Sequence, residues 1–209
     1  MKDLKELLGN PFEGLTNDEI QKKCANIAKE LFNNYCIKCK DSEYYFTEIE
    51  FYYYEKSKRK EEWTKVTYPR DGYSAKELCF HTSGIDICFD SFYDNARFGG
   101  ILIRSIMDKN DNIIAGPWNC MLQILKACKG GGMPTIEESQ RTNYTPNIKT
   151  TYRALGEKDM VAEKKSSLSL CFYDAIPADK WNFVKESFDK ANCKRIYPKT
   201  YYKKERFSL

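Results

Sequence analysis

A chain of 209 residues is long enough for one substantial core and short for two. Hydrophobic residues at 42%, charged residues at 31% and aromatics at 14% exclude a disordered chain and lean toward β structure. The net charge of +4 permits an anionic partner without demanding one. No apolar run approaches a membrane span, and the opening MKDLKELLGNPFEG has no apolar stretch of a secretory leader, so a cytoplasmic protein with no membrane partner is expected. Its nine cysteines are then expected to be reduced, mostly small buried side chains.

Along the chain, residues 1–15 read as a loose lead-in. Thr16 to Glu19 has the pattern of a capping box, and Ile20, Cys24, Ile27 and Leu31 follow as one apolar stripe, which predicts a helix over 17–33. Residues 44–54, YYFTEIEFYYY, are dense in strand-forming side chains. A charged break over 55–62 and the turn cluster TYPRDGY come next. Leu78 to Phe89, interrupted by Gly84, and Gly100 to Met107 are strand-like, with a turn at 109–112. Gly116 and Pro117 open a second helix with Trp118, Met121, Leu122 and Leu125 on its apolar face, ended by Lys129 to Gly132. Residues 130–166 read as a long loop or insertion. Leu168 to Tyr173 predicts a strand, Pro177 starts a helix carrying Trp181, Val184 and Phe188, and 193–209 is a basic, aromatic tail. The order of elements predicts a single α+β domain over 1–209, a curved and mainly antiparallel sheet with helices packed around it.

Four groups of residues could carry chemistry. Cys36 and Cys39 form a CxxC, but a structural zinc needs a second pair, and His81 is the only histidine; Cys79 and Cys88 stand at no supporting spacing, so no metal is expected. Glu48, Glu50 and Tyr52 lie on one side of their strand and Thr47, Ile49 and Phe51 on the other, because side chains alternate. The two acids face either a polar cleft or solvent. Arg104 stands in an otherwise apolar strand and needs an acid partner from Asp86, Asp90, Glu48 or Glu50, in a structural or a catalytic pair. The tail is either a phosphate footprint with stacking rings or a solvated terminus.

Taken in order, FTEIEFYYY, the strand–Gly–strand element ending in Asp90, GGILIRSI and AGPWNCMLQIL resemble the alkyladenine (3-methyladenine) DNA glycosylase family, as a divergent bacterial member, over roughly residues 20–128. The helix CANIAKELFNNYCI resembles that family's opening helix. The resemblance implies an alkyladenine-glycosylase-like fold. It also implies a monomeric base excision repair enzyme, working on duplex or single-stranded DNA without metal or cofactor. Its reaction would excise a flipped, damaged or modified purine by attack of a water that Glu50 activates. Carried over by position, Tyr52 is one plate of the base sandwich and Phe80 or His81 the other. Arg104 holds the water or the carboxylate, and Gly116 and Pro117 open the helix on the pocket wall. Asp90 stands where the family has an Asn that screens purines. The chain departs from the family in two places. No His follows the Glu-x-Tyr strand, where Trp63 would stack instead, and Ser83 occupies the position of the DNA-inserting Tyr. These departures keep open a non-catalytic protein binding a nucleotide or modified base on the same fold, and a hydrolase of small nucleosides.

Overall fold

The computed structural model describes residues 3–9, 12, 14–55, 74–90, 97–129, 131–141, 144–152 and 167–174. The lead-in is helical where a loose segment is expected: α1 (Leu4–Gly9) buries Leu4 and Leu8, and Phe12 just after it is equally enclosed. Its single turn and a half is too short for periodicity to announce it. α2 (Asn17–Asn34) begins at the predicted capping box. The Thr16 side chain accepts from the Glu19 N–H, and the Glu19 carboxylate accepts from the Thr16 N–H at 2.7 Å. The stripe Ile20, Cys24, Ile27 and Leu31 is buried, and α2 packs against four strands, β1 (Tyr35–Cys39), β2 (Ser42–Glu55), β8 (Ile148–Tyr152) and β9 (Ser167–Asp174).

Among the described residues, those strands belong to one curled, antiparallel half-barrel sheet of nine. The others are β3 (Leu78–His81), β4 (Gly84–Cys88), β5 (Arg97–Asp108), β6 (Ile113–Ala115) and β7 (Thr135–Glu138). The main order is β3-β4-β5-β2-β1-β7, with β6 on β5, β9 on β2 and β8 on β9. β7 and β8 correct the expectation of a loop across 130–166. Each is a short strand with few apolar residues, Ile136 alone being buried in β7, so neither leaves much of an alternating pattern to read. The charged break after β2, the turn cluster before residue 74, the helix expected from Pro177 and the tail 193–209 lie outside the described residues.

β2 and β5 run side by side for their whole length, and each changes its other neighbour midway. β2 pairs with β1 through Tyr45 and with β9 from Glu48, while β5 pairs with β4 through Leu102 and with β6 from Ser105. At this branch point the β2–β5 register shifts on both sides of Glu48, between Phe46 and Ile49, leaving Thr47 and Arg104 without a cross-strand partner position. Such bulges bend a strand and re-aim its side chains. The odd-numbered side of β2 is apolar: Ile49 and Phe51 lie with Ile101, Ile103 and Phe172, and Phe51 meets Phe172 edge-on at 5.5 Å. α3 (Pro117–Ala127) packs over β4, β5 and β6, with Pro117 on the side of the sheet that carries Leu102.

Candidate functional site

Beside α3 lies a polar cluster drawn from five strands. Arg104 reaches from the bulge on β5 to both acids of β2, with Nε donating to Glu48 Oε1 at 3.0 Å and a terminal N–H to Glu50 Oε2 at 2.5 Å. The alternation of β2 puts both carboxylates on one side. The bulge turns Arg104 toward both. Neither acid is solvated: Glu50 is fully enclosed, Glu48 is 7% exposed and Arg104 4%. The exposed strand face that the sequence left open is therefore not what forms.

Asp86 extends the row. It stands opposite Leu102 on one side of β5, as Glu50 does on the other, which places their backbones about 10 Å apart on one face. Asp86 is buried and sits 3.3 Å from His81 Nε2. The Ser83 N–H donates to His81 Nδ1 at 3.2 Å, which orients the ring with Nε2 toward Asp86. Across β2, Tyr173 is registered opposite Glu48, and burial together with the Glu48 charge raises its phenol. Burial also raises the Glu48 carboxyl above the usual carboxylate range. Arg104 pulls it back only in part, and the neighbouring Glu50 adds to the rise.

α3 is seated with little slack. The Gly116 N–H donates to the Arg104 carbonyl at 2.8 Å, so the helix start hangs from the residue that clamps the acids. Gly116 adopts φ 93, a conformation that suits glycine, and Pro117 follows in the first turn. Cys120, on the underside of α3, feels the charges of Glu48 and Arg104, and burial first of all pushes its thiol far up.

The structure brings Glu50, Arg104 and Tyr52 to one face, with His81 farther along the same side. Phe80 goes the other way. The β3–β4 register sets it opposite Ile85, packed against the hydrophobic core, because neighbouring residues on a strand cannot share a face. Asp90 is also apart from the cluster. It accepts from the Ala75 N–H at 2.6 Å, and its own N–H donates to the Leu8 carbonyl at 3.4 Å, which ties the end of β4 to α1. Trp63 lies outside the described residues. Glu48 and Asp86 enter the cluster beside the expected residues, as two of the acids named as partners for Arg104. Tyr173 had no signal, since its place depends on a strand pairing more than 100 residues distant in sequence.

The cluster holds three buried carboxyl groups, Glu48, Glu50 and Asp86, against one guanidinium, with the His81 ring 3.3 Å from Asp86. Such an arrangement can orient a carboxylate, keep a proton on Glu48 more readily than an exposed acid would, and favour positive charge beside it. Among the described residues no group of His, Cys, Asp and Glu is arranged to hold a metal ion. Comparison of the chain with protein-family models, with curated proteins and with solved structures finds no match.

Proposed function

We propose that the chain is an N-glycosyl hydrolase that releases a damaged or modified purine base from DNA, with Glu50 as the base that activates water. The observation that carries this reading is the Arg104 clamp on two carboxylates in a cluster with excess negative charge. Breaking an N-glycosidic bond leaves a cation-like sugar, and a preorganised negative field lowers the barrier to forming it. In this reading Arg104 fixes the Glu50 carboxylate in one orientation. Glu48 is a proton-holding neighbour, Tyr52 supplies the ring beside the acids, and Asp86, held by His81, adds to the field. Glu50 is fully enclosed, so engaging a substrate requires the packing around it to open.

That enclosure favours a second reading, a protein of related shape that binds a nucleotide or modified base without cleaving it. One experiment separates the two. Base release is measured from alkylated and deaminated DNA, single- and double-stranded, with wild type and Glu50→Gln, which keeps the shape of the side chain. Catalysis by Glu50 predicts release by wild type that falls by about 100-fold or more in the variant. Absence of release on every substrate, with nucleotide binding equal in the two proteins, establishes the binding protein instead.

A further inference from the structure

The CxxC of β1 does not face itself. Residues three apart on a strand point to opposite sides, so Cys36 and Cys39 diverge. The Cys39 thiol instead faces the end of α3, where Cys128 is close enough to help raise its pKa. It also donates to the Ile124 carbonyl at 3.9 Å, the oxygen that accepts the Cys128 N–H at 3.0 Å. One residue further along both elements, Lys40 Nζ donates to the Lys129 carbonyl at 3.2 Å. The end of β1 and the end of α3 are thus held together, with Cys39 and Cys128 meeting at the Ile124 carbonyl.

We propose that Cys39 and Cys128 are a redox pair that closes to a disulfide on exposure to a peroxide, fastening the far end of α3 to the sheet. Access decides the order of events. Among the described cysteines, Cys24, Cys36, Cys39, Cys79, Cys88 and Cys120 are buried, while Cys128 is half-buried. Burial, and then the neighbouring Cys128 side chain, pushes the Cys39 thiol up to about 12, so Cys39 stays protonated and does not meet the oxidant first. The Cys128 sulfur attacks hydrogen peroxide and becomes a sulfenic acid, with one water released. The Cys39 sulfur then attacks that sulfenic sulfur, its proton leaving with the hydroxyl as a second water. Two thiols and one peroxide give one disulfide and two waters. Both residues reach the same Ile124 carbonyl, which puts the two side chains within reach of each other. It would anchor α3 at the end opposite Gly116, and it stands independently of the reaction proposed above.

The test oxidises the purified full chain with hydrogen peroxide under native conditions, blocks the remaining thiols with N-ethylmaleimide, and maps the peptides by mass spectrometry without reduction. A Cys39–Cys128 linked peptide is expected, reversed by dithiothreitol. The oxidised protein should melt about 4 °C or more above the reduced one, as a cross-link closing a long loop implies. Cys128→Ser should abolish both effects, and Cys36→Ser should abolish neither. Should Cys128→Ser fail to fold, the wild-type peptide map decides alone. Both thiols remaining open to the maleimide, a link from Cys39 to any other cysteine, or Cys128 passing to the sulfinic acid without cross-linking would each overturn the proposal.

Discussion

Arg104 touches two carboxylates, and one guanidinium cannot neutralise both. The surplus falls on Glu48, whose carboxyl burial raises above its usual range. A carboxyl raised in the folded state binds more protons there than in the unfolded chain, so stability falls as pH rises from the ordinary carboxylate range through the raised value. Glu48→Gln removes this loss and leaves Arg104 paired one-to-one with Glu50. Denaturant unfolding at several pH values should show the variant equal to or more stable than wild type at pH 8, with its advantage shrinking as pH falls toward 4.5. An advantage that grew on acidification would mean that Glu48 is held ionised in the fold. At this scale the sequence showed the alternation that places Glu48, Glu50 and Tyr52 together, because a period of two follows from strand geometry alone. It also narrowed the partners of Arg104 to four acids, two of which Arg104 grips. Burial of the pair was not legible, since it depends on elements distant in sequence packing around them. The choice between Phe80 and His81 depended on hairpin register, which the two residues do not fix by themselves.

Among the elements, α3 positions the site most directly, and its seat on the sheet is Gly84. That residue has φ 148, and a Cβ there would lie 2.8 Å from the Pro117 Cβ and 3.2 Å from the Pro117 carbonyl oxygen. Gly84→Ala therefore strains its own backbone and lifts the start of α3 from β4. A loss of at least about 2 kcal/mol is expected, read as a lowered denaturant midpoint, with greater exposure of the Arg104 cluster to hydrogen exchange. A variant as stable as wild type would show that α3 is not pressed against the sheet at this point. The two long helices were readable from caps, from Pro at the first turn and from apolar stripes. The long strands were readable from their aromatic and β-branched density. α1, β1, β6, β7 and β8 were not, because three to six residues carry too little periodicity to stand out from a loop. The CxxC was visible as a motif, yet its true neighbour Cys128 came only from the packing of α3 on β1.

For the whole molecule, the sheet is assembled mostly from pairings distant in the chain. β2 is its spine, flanked by β5 on one side and on the other by β1 and then β9. Tyr173 opposite Glu48 and Phe172 opposite Ile49 show that β9 completes both faces of the spine, the polar cluster and the aromatic core. A chain ending at residue 160 lacks β9 and should lose cooperative unfolding by calorimetry and collect in the insoluble fraction on expression. A soluble, cooperatively melting product would show that β9 only decorates the sheet.

The position of β9 has a consequence for how the protein is made. A nascent chain leaves the ribosome from its N-terminal end at roughly 5–20 residues per second, so β2 emerges roughly 6–20 s before β9 can reach it. For that interval the most aromatic strand of the sheet carries an open edge, of the kind that recruits a neighbouring chain when nothing shields it. Holdase chaperones would find their binding site on this protein in that window, and the yield of native molecules should depend on translation speed between residues 55 and 167 more than on anything before it.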